Sequence, residues 1–197
     1  MSTQRRNNIA VINGHPDAES YCTALAASYV KGAAGSGASV REISLGSLQF
    51  NPNLQYGYRQ RTELEPDLLA AQDIIRWADH LVFIYPLWWG TVPGILKGFI
   101  DRVFLPGFAF QTRPNSQLWD KLLTGKSARM VVTMDSPPWY FKLVHRSAGH
   151  TVMKRGILQF CGVNPVKITD IGPVKPSTAE QRDRWLQTVH DLGARRL

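Results

Sequence analysis

Short apolar runs alternate along the chain with segments whose apolar residues recur every three or four positions, the pattern of a parallel sheet covered by helices on both faces. Asn8 to Gly14 (NIAVING) is apolar and β-branched enough for a buried central strand. Behind it, Cys22, Leu25, Ala26, Tyr29 and Val30 recur at i, i+3, i+4, i+7 and i+8, which predicts a helix that Gly32 and Gly35 end. Ser39 to Leu45 reads as a second strand, and a polar, Tyr-rich connection runs on through Tyr58. A second helix begins near Pro66 with Leu68, Ala71, Ile75 and Ala78 as its stripe. Leu81 to Tyr85 (LVFIY) is the most apolar strand, broken by Pro86, and belongs at the sheet centre.

Pro93 suits the first turn of a third helix, where Ile95, Leu96, Phe99, Ile100, Val103 and Phe104 give a wide buried face before Pro106 and Gly107. Phe108 to Thr124 reads as irregular. Ala128 to Thr133 and Val166 to Ile171 supply a fourth and a fifth strand. Ser177 with Glu180 predicts a capping box for a last helix carrying Trp185, Leu186, Val189 and Leu192. The class is α/β: one domain over residues 1–197, without repeats or a low-complexity linker, built on a doubly wound sheet. Ligands of such sheets bind beyond the carboxyl ends of the strands at the switch point in strand order. The loops to inspect are therefore Gly14 to Tyr21, Pro86 to Pro93 and Met134 to Phe141.

Composition removes several classes. With 44% hydrophobic and 19% charged residues, the 197-residue chain can bury a full core and lies far from disordered compositions. Cys22 and Cys161 have no C-x-x-C around them, so neither a zinc ribbon nor a disulfide framework is expected, and the compartment is reducing. The five histidines are too scattered to suggest a metal site. MSTQRRNN has neither the apolar region nor the cleavage site of a signal peptide. The longest uncharged run, Leu81 to Leu96, is 16 residues and carries two prolines and two glycines, against the roughly 20 apolar residues of a membrane span. A soluble, cytoplasmic protein without membrane insertion is expected. The net charge of +8 raises nucleic-acid binding, but the basic residues are dispersed and carry no binding motif, so none is expected.

Familiar signatures fail locally. Gly125-Lys126-Ser127 resembles the end of a phosphate-binding loop, but Asp120 breaks the motif and the segment precedes a strand. There is no G-x-S-x-G or H-E-x-x-H. What remains is Gly14-His15-Pro16 at the end of the first strand, with Ser20, Tyr21 and Cys22 opening the helix behind it. Exposed amides and the positive helix end suit a phosphate there; equally, His15 and Ser20 serve only to satisfy loop backbone and cap the helix. Pro86-Leu87-Trp88-Trp89-Gly90 follows the central strand, and two adjacent tryptophans cannot enter the same core. A strand end beside a flat aromatic wall suits an isoalloxazine or nicotinamide ring; the alternative is core or subunit-interface packing. Asp135 to Phe141 is a polar-then-aromatic turn, or a proline-stiffened surface loop.

Taken together, these segments resemble the NAD(P)H:quinone dehydrogenase family, the DT-diaphorase relatives of flavodoxin-like fold. The most specific stretch is Tyr85 to Phe110, YPLWWGTVPGILKGFIDRVFLPGFAF, and GHPDAESYCTALA resembles the family's opening histidine loop. The resemblance implies a three-layer sandwich with a five-stranded parallel sheet in the order 2-1-3-4-5. It also implies a homodimer and a flavin at the dimer interface that passes a hydride from NAD(P)H to a quinone. It places His15, Ser20, Tyr21 and Cys22 along the flavin phosphate and ribityl chain, and Pro86, Leu87, Trp88, Trp89 and Gly90 along the ring edge. Cys22 stands where relatives often have Asn. Thr133 is followed by Met134, Asp135 and Ser136 where relatives commonly have Thr-Gly-Gly, which sets a carboxylate beside the ring unless Asp135 turns away. Trp139 and His145 are spaced like the family's proton-relay pair, with Tyr140 an equal candidate for the phenol. Phe108, Phe110 and Trp139 would wall the substrate site. The opening loop and the Phe108 to Phe110 extension favour FAD over FMN. The rival readings are a regulatory flavoprotein subunit of a potassium efflux system and a one-electron carrier of flavodoxin type, the latter disfavoured by the basic charge.

Overall fold

The structure is a computed structural model that describes residues 7–196. Its main sheet has five parallel strands: β1 (Asn8–Asn13), β2 (Ser39–Ser44), β3 (His80–Pro86), β6 (Ser127–Thr133) and β7 (Val166–Ile171), in the order β2-β1-β3-β6-β7. That is the expected 2-1-3-4-5 order, with two short strands inserted before the fourth main strand. These are β4 (Phe110–Thr112) and β5 (Trp119–Lys121), an antiparallel ribbon in the segment that reads as irregular from sequence. Three-residue strands carry too little periodicity to be seen in the sequence pattern.

Side chains alternate across the sheet as the pleat requires. Leu81, Phe83 and Tyr85 of β3, with Ala128, Met130 and Val132 of β6, enter one core; Val82, Ile84 and Val131 enter the other. Every residue of β3 and β6 is buried, so the apolar runs LVFIY and ARMVVT are what a strand covered on both faces demands.

Helices α1 (Tyr21–Gly35) and α6 (Ala179–Ala194) cover one face. They approach closely because of two glycines: a Cβ on Gly32 would lie 2.0 Å from the His190 carbonyl oxygen, and one on Gly193 would lie 2.2 Å from that of Tyr29. Helices α2 (Pro66–Trp77), α3 (Gly94–Val103), α4 (Pro138–Val144) and α5 (Ala148–Thr151), the last running on as a π-helical segment Val152–Gln159, lie on the other face. The expected apolar stripes of α2 and α3 are buried, with Ile95 half-buried. Pro93 caps α3 from just outside its first turn. The cap of α6 is corrected by one residue: Thr178, not Ser177, accepts the Gln181 amide, because Ser177 Oγ is held by the Val174 carbonyl and Arg182. Among the described residues, no helix is long and apolar enough to cross a membrane.

The long connection between β2 and α2 is strapped to α3. Arg102, 1% exposed, donates to Glu65 Oε2 at 2.8 Å and to the Glu63 carbonyl at 2.8 Å, with Asn51 as a further acceptor. Burial pushes the Glu65 carboxyl up, but the Asn51 amide and the Arg102 guanidinium outweigh it and hold the group below the usual carboxylate range. A carboxyl lowered in the folded state contributes stability that is present above its unfolded pKa and is lost as pH falls through the folded value. Arg102→Met should cost about 2–3 kcal/mol in urea unfolding at neutral pH, the usual cost of losing hydrogen bonds to a charged group, because the Glu65 carboxylate left behind is partly exposed, and should shrink the acid limb of the stability profile. A loss under about 1 kcal/mol, in the range of ordinary surface substitutions, would contradict this account of the strap.

Candidate active site

Strand order reverses between β1 and β3, so the chain leaves β1 toward one face as α1 and leaves β3 toward the other as α3. The two loops part and open a crevice at the carboxyl edge of the sheet. Gly14 makes the parting tight: its amide donates to the Ile84 carbonyl at 2.8 Å, and a Cβ would meet Leu96 at 2.8 Å.

The loop after β1 is organised by side chains. Asn13 Oδ1 accepts the His15 amide at 3.1 Å while its Nδ2 donates to Thr23 Oγ1 at 2.9 Å, and His15 Nδ1 accepts the Asp17 amide at 3.0 Å. With Nδ1 accepting, the neutral His15 ring must carry its proton on Nε2. Ser20 is the N-cap and accepts the Thr23 amide. Both bland roles expected of His15 and Ser20 are thus filled. Yet the Tyr21 and Cys22 amides have no acceptor among the described residues, and they stand at the positive end of a 15-residue helix.

A cleft of about 160 Å³ is lined by His15, Tyr21, Cys22, Pro86, Leu87 and Trp88 from the first two loops, and by Thr133, Met134, Asp135 and Val174 from the far side. The structure therefore gathers most of the sequence-derived cofactor set in one place. Ser20 stands beside it as the cap. Trp88 is half-exposed and meets the His15 ring edge-on at 5.3 Å. Trp89 and Gly90 lie outside the lining: Trp88 and Thr91 exchange two backbone hydrogen bonds at 3.0 Å, and Trp89 and Gly90 turn the corner at φ +51° and +76°. Trp89 is fully exposed.

The segment after Thr133 behaves differently from a glycine pair. The Met134 amide donates to the Ile171 carbonyl at 2.9 Å and its carbonyl accepts the Val174 amide at 3.0 Å, so the amide is not free to donate to a ligand. Asp135 does turn toward another partner: Oδ1 accepts the Lys175 amide at 2.9 Å. Burial pushes the Cys22 thiol up to about 11, although Thr133 Oγ1 at 3.4 Å opposes this, so a protonated thiol faces the cleft at neutral pH. Burial likewise raises the Tyr21 phenol to about 12, and its hydroxyl is committed to the Arg182 carbonyl at 2.8 Å.

The relay candidates form a second cluster on α4. Trp139 and Tyr140 are 6.0 Å apart and Tyr140 is 5.7 Å from His145, ring centroid to ring centroid, and all three are exposed. Phe108 and Phe110 are not brought to this cluster. Phe108 lines a 440 Å³ cavity with Arg61 and Arg76, and Phe110 lines a 520 Å³ apolar cavity with Phe104 and Phe160.

Three features escape the sequence reading. His150 is 5% exposed beneath α4, with Nε2 2.8 Å from Asp170 Oδ1, and its Nδ1 and the Tyr85 hydroxyl are buried without a hydrogen-bond partner among the described residues. Val174 lines the cleft from beyond the last strand, a strand end that the switch-point rule also covers. Gly149 supports the Trp88-Trp89-Gly90 corner from behind: a Cβ there would lie 2.2 Å from the Gly90 carbonyl oxygen. A lone glycine inside a helical segment gives no local signal of such a contact.

The residues fit a flavin in part. Free amides at a helix N-terminus suit its phosphate, and Trp88 with the Pro86-Leu87 backbone supplies one flat wall. The cleft is smaller than the roughly 300 Å³ at which ligand pockets usually begin, so by itself it does not enclose a flavin.

The Flavodoxin_2 family model, described as flavodoxin-like fold, matches residues 7–192, and the chain belongs to this family. It is 30% identical over 173 residues to an uncharacterized NAD(P)H oxidoreductase of Haemophilus influenzae, covering 85% of this chain and 84% of that protein. It is 28% identical over 200 residues to rat NAD(P)H dehydrogenase [quinone] 1, covering 87% and 72%. Among solved structures, Smu.1420 from Streptococcus mutans UA159 superposes with a TM-score of 0.80 at 28% identity, over 94% of this chain and 98% of that one.

Gly149→Ala should displace the Gly90 corner, because a Cβ 2.2 Å from a backbone carbonyl cannot be relieved by a side-chain rotation. Thermal unfolding should show a loss of about 1–3 kcal/mol, the usual cost of overpacking. A variant with parental stability would mean that the corner does not rest on α5.

Proposed function

We propose that the chain is a flavin-dependent NAD(P)H:quinone oxidoreductase whose flavin phosphate lies on the Tyr21 and Cys22 amides. The observation that carries this reading is the convergence of those free amides, the His15 Nε2 proton and the Trp88 wall on one crevice at the switch point. The oxidoreductase names of the Haemophilus and rat relatives support it. The efflux-subunit alternative finds no support among the compared relatives. A bound flavin supplies two-electron hydride transfer between a nicotinamide and a quinone; the chain supplies orientation and proton donors.

In this reading Ser20 holds the first turn of α1 open to the phosphate, and Thr133 and Cys22 close the floor of the cleft. Pro86 and Leu87 would line the ring edge, and Trp88 would supply an aromatic wall that excludes water. The Lys175 amide holds one oxygen of Asp135, which orients the carboxylate at the edge of the cleft while leaving its charge in place. Of the two relay candidates for the phenol position, Tyr140 is favoured, because it touches the His145 ring edge-on and carries a hydroxyl. His145 then donates a proton to the quinone oxygen. FAD is the flavin of choice on the resemblance of the opening loop and the Phe108 to Phe110 extension. A homodimer completes the small cleft, with Phe108, Phe110 and the apolar recess beside α3 on the partner-facing side. The buried, unpaired Cys22 and Cys161 suit a reducing cytoplasm.

Purified protein should be yellow and release FAD on denaturation; its flavin should bleach anaerobically with NADH or NADPH and recover its colour on addition of a quinone. Protein loaded with flavin that neither nicotinamide reduces would contradict the assignment. His145→Ala should slow one stopped-flow half-reaction by roughly ten- to a thousandfold with flavin content unchanged. Parental rates in both half-reactions would move His145 out of the mechanism. Light scattering of the active protein should give twice the chain mass, and a monomeric mass would refute the completed cleft.

A further inference from the structure

We propose that the cavity between α4, the α5 segment and β7 is a binding site for a phosphorylated ribose, with the phosphate on Lys142, Lys154 and Arg155 and a ribose hydroxyl on Asp170. The site does not rest on the oxidoreductase reading and uses no side chain that the reading employs. The segment 148–159 divides two recesses. Toward α3, Gly156, Ile157 and Phe160 line the apolar recess assigned to the partner-facing side. On the other flank, Thr151, Lys154 and Arg155 face Ile168 and Asp170 of β7, an edge strand of the sheet. At about 420 Å³ this second recess falls in the range of small-ligand sites, roughly 300–1,000 Å³, where the switch-point cleft falls short of it.

A buried side chain holds the acidic wall in place. The His150 side chain is 6% exposed, and an ionised carboxylate only accepts, so its Nε2 donates to Asp170 Oδ1 at 2.8 Å. Asp170 Oδ2 has no donor among the described residues and is open to a hydroxyl. Lys142, Lys154 and Arg155 have no carboxylate partner among the described residues, and the hydroxyls of Ser147 and Thr151 beside them are likewise uncommitted. Ser147 reaches the wall through a costly turn: Arg146 and Ser147, neither of them glycine, take consecutive left-handed φ of +49° and +51°. Three cations around one carboxylate favour a dianion, and their N–H groups supply charge-assisted hydrogen bonds to phosphate oxygens. Asp170 repels a bare inorganic anion, whereas a phosphate carried on ribose brings a hydroxyl to that carboxylate. Carboxylate to ribose hydroxyl and arginine to ribose phosphate are the pairings that dinucleotide sites use. A metal ion suits the cavity poorly, because the cations repel it and no group of three His, Cys, Asp or Glu side chains converges among the described residues.

The test is calorimetric titration of the flavin-loaded protein with inorganic phosphate, adenosine, adenosine 2′-monophosphate and adenosine 5′-monophosphate. One nucleotide per chain should bind, more tightly than inorganic phosphate, and adenosine should not bind measurably. Two sources carry this chemistry: tighter binding of the 2′-monophosphate assigns the site to the phosphorylated end of NADPH, tighter binding of the 5′-monophosphate assigns it to a free nucleotide, and both support the proposal. Lys154→Gln with Arg155→Gln should weaken nucleotide binding at least about tenfold, the scale of one lost hydrogen bond to a charged group. Thermal unfolding of that pair should stay parental, which separates lost binding from lost folding. Asp170→Asn keeps an acceptor for His150 but removes the charge; it weakens the ribose contact and relieves the repulsion on phosphate, so the preference for nucleotide over inorganic phosphate should shrink. Inorganic phosphate bound as tightly as either nucleotide, a preference that Asp170→Asn leaves intact, or nucleotide binding that the Lys154/Arg155 pair leaves unchanged would overturn the proposal, as would no binding at millimolar nucleotide. In a chain that takes up no flavin, the α1 amides would add a second phosphate site indifferent to Lys154 and Arg155, so this proposal and the flavin reading fail separately.

Discussion

Everything in this molecule follows from a parallel sheet buried on both faces. The seven residues of β3 and the seven of β6 are all buried, and only their last residues, Pro86 and Thr133, reach the lining of an open cleft. Function is pushed to the strand ends, and the change of direction between β1 and β3 decides which end opens. The same constraint accounts for the glycines at close approaches. Gly14 lets the first loop leave beside Leu96, and Gly32 and Gly193 bring α1 and α6 together over the second core.

The fold was legible because its central elements are periodic. Strands alternating with helices leave the apolar runs and stripes that give the α/β class, while the 2-1-3-4-5 order, implied by the family resemblance, met its equivalent in the structure. What escaped was short or decided by competition. The β4-β5 ribbon has three residues per strand, and Ser177 lost the α6 cap to its neighbour Thr178 because Val174 and Arg182 had already engaged it.

The cleft was legible to the degree that its residues sit next to strand ends. His15, Pro86 to Trp88 and Thr133 to Asp135 meet there because each lies within two residues of the end of β1, β3 or β6, and Cys22 joins them from the first turn of α1, where the loop after β1 returns to the sheet edge. Trp89 shows the limit of adjacency: one residue beyond Trp88, the backbone turns through a positive φ and sends it to solvent. Tertiary packing set Asp135 against the Lys175 amide and buried His150 on Asp170, partners 40 and 20 residues away. No local pattern encodes such contacts.

The central claim is that the free first-turn amides of α1 hold the flavin phosphate. Titration of flavin into isotopically labelled apoprotein, followed by amide ¹⁵N–¹H shifts, tests it directly. The account predicts that the Tyr21 and Cys22 amides move furthest and saturate at one flavin per chain, with Trp88 and Asp135 following. Shifts confined to residues 105–108 or 156–161, with Tyr21 and Cys22 unmoved, would contradict it.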